Sequence, residues 1–192
     1  WAWGLMRMAE ILRSDPLIDG ERITACGHSR NGKAALLAAA MDPSFAGAID
    51  NQSGCAGSAP ARTRGAAGVE TVKDINDRFP HWFDEHYKQF NDCPDKLPFD
   101  QHAMMALVAP RPCLVANAEG DVWANPPGRF AMTKLADAVY RLLGAEGLDA
   151  NTQPAPDALV NSRLGYSIRR GKHAMGPEDW AWYLDFADRW IK

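Results

Sequence analysis

Cysteine is scarce in this chain. Four residues in 192, Cys26, Cys55, Cys93 and Cys113, lie in different segments, and no two have CxxC spacing. That scatter argues against a disulfide framework and a zinc site, and a cysteine in an apolar strand normally acts as a small buried side chain. No apolar run nears the roughly 20 residues that span a bilayer, and no basic, apolar, small-residue leader opens the sequence. Charge of one sign is missing as well. The 21 Lys and Arg against 24 Asp and Glu leave −3 with His neutral, and the cations are spread along the chain, so no footprint for a phosphate backbone exists. Neither nucleic acid nor membrane is an expected partner. Internal repeats and low-complexity tracts are lacking too.

What remains is a globular composition, 46% apolar and 23% charged, ample for one core. The first residue is Trp1, and Trp1 to Arg13 already carries Leu5, Met8, Ile11 and Leu12 at helical spacing. The expectation is a single partial domain over residues 1–192, a fragment of a longer catalytic unit. The lack of a leader then says nothing about export, and localisation stays open at this level.

Strand and helix alternate along the chain. A turn at Ser14 to Gly20 leads into a β-rich run, Arg22 to Cys26, that stops at Gly27, and Asn31 to Met41 follows as a helix of strong formers. Gly47 to Gln52 reads as a strand. Residues 53–70 are small, polar and glycine-rich, and the aromatic Phe79-Pro80-His81-Trp82-Phe83 looks like an ordered excursion from a sheet. Leu107 to Asn117 reads as a buried strand launched by prolines, and Gly128 to Leu143 as an amphipathic helix closed by Gly144. Tyr166 to Arg170 is the last strand. Pro177, with Glu178 and Asp179 in the first turn, opens a helix with Trp180, Tyr183, Leu184 and Ile191 on one face. This rhythm predicts an α/β fold, three layers around a doubly wound, mostly parallel sheet, with sites at the carboxyl ends of its strands.

The strongest local signal is Gly27-His28-Ser29-Arg30-Asn31-Gly32-Lys33, between a strand and a helix. A sharp strand-to-helix turn projects a serine hydroxyl from the top of the sheet. The pattern departs from G-x-S-x-G, with Asn31 in place of the second glycine and Gly32 one position later. The competing role for Ser29 is a helix N-cap. Arg30 and Lys33 weigh against it, because cations in a first helical turn oppose the macrodipole and gain nothing unless something anionic visits.

A serine nucleophile needs a base and an acid, and on this scaffold they follow in the order acid, then histidine. His173 lies between the last strand and the last helix. His28, beside the serine, is expected to point elsewhere, and His81, His86 and His102 fit structural roles better. Asp121, in the loop after the strand ending at Asn117, is the chosen acid, with Glu119 as the alternative. Trp123, beside it and on no periodic face, is a candidate sugar platform.

Together these residues resemble the glucuronoyl esterases, carbohydrate esterase family 15, and their bacterial members more closely than the fungal ones. The resemblance covers nearly the whole chain. Besides the serine segment it rests on Asp74-Ile75-Asn76 with Phe79 to Phe83, on Leu107 to Pro112, on Asp121 to Pro126 and on His173-Ala174-Met175. It implies an α/β-hydrolase that cleaves the ester between 4-O-methyl-glucuronic acid of xylan and lignin alcohols, without metal or cofactor. It further implies Ser29 as nucleophile, His173 as base, Arg30 at the oxyanion, Lys33 and Glu70 on sugar hydroxyls, and Trp123 over the uronate ring. Some members place the acid after the strand that follows the nucleophile helix, a place taken here by Gln52, which cannot ionise, so the acid role passes to Asp121. The fungal disulfide beside nucleophile and base has His28 and Ala174 at its two positions, and it is not expected. Family catalytic domains are roughly twice this length, so the first half of the sheet is expected to be missing and the piece alone to fold poorly, with its leading strand an open edge. A secreted or periplasmic, monomeric enzyme is implied. The alternatives are an acetyl-xylan or feruloyl-type esterase and, from another class, a carbohydrate-binding relative without catalysis.

Overall fold

The β-rich runs form five strands, β1 (Thr24–His28), β2 (Gly47–Asn51), β3 (Cys113–Ala118), β4 (Ala158–Val160) and β5 (Leu164–Arg169), in a sheet of order β1-β2-β3-β5-β4. This is a computed structural model, and it describes residues 1–62 and 67–192. Part of the glycine-rich 53–70 stretch, residues 63–66, lies outside the described residues. β1, β2, β3 and β5 pair in parallel, and β4 pairs antiparallel to β5. Central β3 is buried at every position, as a strand covered on both faces must be.

Among the described residues the α-helices are α1 (Ala2–Arg13), α2 (Arg30–Met41), α3 (Val72–Arg78), α4 (His102–Val108), α5 (Pro126–Leu142) and α6 (Pro177–Trp190), with short 3-10 turns between elements. Alternation of side chains along the strands divides the core in two. Ala25, Ala48, Val115 and Tyr166 face Leu36 of α2, Met105 of α4 and Tyr140 of α5. Ile49, Leu114 and Ala116 face Tyr183 and Phe186 of α6 on the opposite side, giving three layers. Full burial of a side chain such as Phe186 contributes roughly 1.5–3 kcal/mol. A third small cluster, with Cys55, Val72, Ile75 and Leu97 at its centre and Trp82, Phe83 and Tyr87 around it, holds the aromatic excursion together.

Several element readings are corrected. Leu107 and Val108 end α4 rather than begin a strand; the prolines at 110 and 112 stop the helix and start β3. α6 is rotated from its expected face, with Trp180 46% and Leu184 62% exposed. Asp179 is fully buried there because it pairs with Arg169, so the inward stripe runs through 179, 183 and 186. Met8 and Ile11 of α1 are exposed as well, and the helix packs through Ala9 with Leu5 and Met6. β4 was not anticipated; three residues after the left-handed Asp157 carry too little pattern. Among the described residues no helix is long and apolar enough to cross a membrane.

Candidate active site

Parallel strands bring their carboxyl ends to one edge, and the chain leaves β1, β2, β3 and β5 there through Ser29, Gln52, Asp121 and His173. Ser29 turns the chain at φ 59°, ψ −128°, a conformation that costs a non-glycine residue roughly 1–3 kcal/mol. The turn is held by its N–H, which donates to Asn51 O at 2.8 Å, and by its carbonyl, which accepts from Gly32 and Lys33 at 2.9 and 3.2 Å. Ser29 stands at the N-cap of α2, yet its hydroxyl makes no cap bond. The glycines explain the departure from the familiar motif. A Cβ on Gly27 would come within 2.1 Å of Asn31 O, and one on Gly32 within 2.6 Å of an Asp50 carboxylate oxygen. The close approach of α2 to β1 and β2 therefore requires glycine at 32 and leaves 31 free.

His173 donates from Nδ1 to Asp121 Oδ2 at 2.7 Å. That bond leaves Nε2 as the other ring nitrogen, and His173 and Ser29 line the same cleft. Asp121 is 4% exposed, and its other oxygen accepts from Ala124 N–H at 3.4 Å. Glu119 is exposed and stands outside this arrangement. His28 does not point away, as expected; its ring lies 4.5 Å from that of His173, tilted by 38°. Burial above all, and the neighbouring His173 next, push its pKa down from 6.5.

Lys33, Glu70 and Trp123 meet in the same cleft of about 210 Å³. Lys33 Nζ donates to Glu70 Oε2 at 2.8 Å and to the carbonyls of Ser53 and Cys55, both at 2.5 Å. Trp123 Nε1 donates to Glu70 Oε1 at 3.1 Å. The anion that Lys33 answers is thus internal, not a visitor. Arg30 stands apart. Its guanidinium is exposed, 6.0 and 5.8 Å from the ring centroids of Trp1 and Trp82, on the wall of a neighbouring cavity of about 390 Å³. Its backbone N–H, at the first position of α2 and next to Ser29, has no intrahelical acceptor.

Two features were not read from the sequence. Phe79 and Trp82 stack at 3.9 Å with 5° between their planes and form one wall of the cleft. Gln52 binds the backbone of Ala174 through both atoms of its amide. Aromatic spacing i, i+3 held a hint of the first; nothing local announced the second. Burial pushes the thiols of Cys26 and Cys55 up to about 11 and about 12, so neither competes as a nucleophile. Among the described residues no cluster of three His, Cys, Asp or Glu could hold a metal.

Comparison with known proteins bears on this geometry. Residues 1–144 match the family model for fungal glucuronyl esterases. This chain belongs to the glucuronoyl esterase family. Carbohydrate esterase MZ0003, from an unknown prokaryotic organism, is 48% identical over 188 residues, which cover 98% of this chain and 43% of that protein. The 4-O-methyl-glucuronoyl methylesterase of Schizophyllum commune is 35% identical over 152 residues, 75% of this chain and 38% of its own length. The structure of a promiscuous CE15 esterase from a marine bacterial metagenome superposes with a TM-score of 0.96 at 48% identity, over all of this chain and 47% of that one. The fold is that of the α/β-hydrolases. The chain spans less than half the length of these glucuronoyl esterase relatives.

Proposed function

We propose that this chain carries the catalytic residues of a serine carboxylic-ester hydrolase that cleaves 4-O-methyl-glucuronoyl esters joining xylan glucuronic acid to lignin alcohols. The observation that carries the reading is the bonded His173–Asp121 pair, which opens onto the same cleft as the strained Ser29 and the Lys33–Glu70–Trp123 group. In the first step Nε2 of His173 takes the Ser29 proton while Oγ attacks the ester carbonyl. The tetrahedral oxyanion accepts from the Arg30 N–H, and Arg30's cation adds a favourable field from the rim. Collapse breaks the bond to the alcohol oxygen, which leaves with the proton from His173. Water, deprotonated by the same imidazole, then attacks the acyl-enzyme, releasing glucuronate and restoring Ser29 with its proton. Asp121 fixes the ring and stabilises the imidazolium without taking its proton.

An ester of a uronate is uncharged at the scissile carboxyl, so the acyl side of the pocket needs hydrogen-bonding groups rather than a free cation. The neutral Lys33–Glu70 pair and the Trp123 indole meet that need. Such groups discriminate among sugar epimers because a misplaced hydroxyl leaves buried polar atoms unpaired. An acetyl or feruloyl ester would use the same triad but would not call on these groups. In the further alternative, a carbohydrate-binding relative, the pocket binds without turnover. The substrate is a wall polymer, so the reading places the enzyme outside the cytoplasm.

The test is hydrolysis of benzyl glucuronate beside an acetyl ester by the full-length protein and its Ser29→Ala variant. Glucuronate turnover lost in the variant supports the proposal. Turnover of the acetyl ester alone removes the uronate substrate, and binding without turnover of either brings the carbohydrate-binding alternative forward.

A further inference from the structure

Gln52 is 2% exposed and holds φ at 51°, in the left-handed region that side chains rarely adopt. Its amide is spent on the backbone of one residue 122 positions away: Nε2 donates to Ala174 O at 2.9 Å, and Oε1 accepts from Ala174 N–H at 3.1 Å. Ala174 directly follows His173. The same carbonyl also accepts from Arg169 Nη2 at 2.6 Å, and Arg169 is held by Asp179 at 3.0 Å. The loop bearing the histidine is otherwise exposed from Gly171 to Met175, so its backbone has few apolar contacts to fix it. Asp121 holds the ring of His173 at one atom, and of the backbone around it Arg169 also binds Lys172 O at 3.2 Å and Gly120 N–H binds Gly171 O at 2.9 Å, while the Ala174 N–H is met by Gln52. A residue kept in a disfavoured conformation, buried, with both its polar groups directed at that backbone, points to a constraint beyond packing.

We propose that Gln52 is a positioning residue for His173, clamping the backbone of Ala174 on both sides so that the imidazole stays in line between Asp121 and Ser29. An amide is the group this demands, because an ionised carboxylate only accepts and would set an oxygen against Ala174 O. The inference rests on the reading of His173 as the general base. The charged and titratable groups that meet this loop are Asp121 after β3, His28 at the end of β1, Arg169 on β5 and Asp179 on α6. A neutral replacement at 52 alters none of them.

The experiment compares the full-length wild type with Gln52→Met, which keeps length but loses both bonds, and with Gln52→Asn, whose amide is one methylene too short to span the gap. Diethyl 4-nitrophenyl phosphate serves as titrant: it transfers its phosphoryl group to the serine oxygen and releases nitrophenolate, whatever the natural ester is. Its second-order rate constant is expected to fall about 10- to 100-fold in both variants, as for a base displaced by about 1 Å. KM for benzyl glucuronate should stay within about twofold of wild type, since no sugar contact is removed. The acid limb of the titrant profile should also move to lower pH, because a loosened contact with Asp121 stabilises the imidazolium less. A rate within about twofold of wild type in either folded variant overturns the proposal, as does a loss that follows only the unfolded fraction with an unmoved pH profile. Wild type that reacts with the titrant but leaves the glucuronate intact overturns the uronate substrate alone. Wild type inert to the titrant overturns the serine mechanism and this proposal with it.

Discussion

Nδ1 of His173 and Oδ2 of Asp121 lie 2.7 Å apart, although 52 residues separate them in the chain. Adjacent parallel pairing of β3 and β5 makes this contact, because loops after neighbouring strands emerge side by side. The carboxylate is buried while the imidazole side chain is 42% exposed, so the anion is the fixed member and the ring is aimed by it. Asp121→Asn should therefore leave the fold intact and offer His173 a donor where it needs an acceptor, favouring the wrong tautomer. Turnover of a glucuronate ester is expected to fall by about 10³- to 10⁴-fold with little change in KM, measured by steady-state kinetics beside circular dichroism. A loss of less than tenfold would place the acid elsewhere.

The Lys33–Glu70 pair is buried on both sides, at 8% and 6% exposure, and Lys33 has no water-facing alternative for its charge. Glu70→Ala is expected to destabilise the protein by on the order of 3 kcal/mol in denaturant titration, since it leaves an uncompensated buried ammonium. Adding Lys33→Met should recover much of that stability while activity stays low. Recovery of activity together with stability would show that the pair serves the fold and not the substrate.

Much of this architecture was legible because periodicity and turn chemistry are local. The strand-turn-helix around Ser29, the prolines before β3 and the capped start of α6 announce themselves within ten residues each. Order Ser, Asp, His along the chain was enough to choose His173 and Asp121 from five histidines and several acids. What escaped was set by partners far away. Asp179 looks like an ordinary first-turn acid until Arg169 draws it inward and turns Trp180 to solvent. Lys33 looks like an unanswered cation until Glu70, 37 residues on, meets it. Ser29, Gln52 and Asn125 all adopt positive φ around the sheet edge that bears the site, where a reader of sequence expects glycine. That strain is imposed by tertiary structure and has no local signature.

Trp123 lines the cleft that holds Ser29 and His173, and its indole N–H is bonded to Glu70. Trp123→Phe removes the Nε1 bond to Glu70 at 3.1 Å and keeps most of the aromatic surface, whereas Trp123→Ala removes both. A hydrogen bond to a charged group contributes roughly 1.5–3 kcal/mol, so the phenylalanine variant should show a measurable fall in thermal stability. KM should rise severalfold in Trp123→Ala and less in Trp123→Phe. Equal KM values for both variants and wild type would take Trp123 out of substrate binding.

His28 provides a pH test that needs no substrate. Its ring lies against that of His173, and its buried Nδ1 has no hydrogen-bond partner among the described residues. Burial foremost, then the neighbouring imidazole, hold its pKa below 6.5, with Asp121 and Asp179 opposing and Arg169 adding to the shift. In the unfolded chain the same imidazole takes up a proton near 6.5. Between that value and the lower folded one the unfolded state binds more protons, so stability is complete above the unfolded pKa and is lost as pH falls through the window. His28→Phe keeps an aromatic ring against His173 and cannot charge. The fall in Tm from pH 7 to pH 5 should consequently be smaller in His28→Phe than in wild type, measured by calorimetry in one buffer series. An equal or larger fall in the variant would mean that His28 is already protonated in the folded protein, and that the two rings share a charge rather than exclude one.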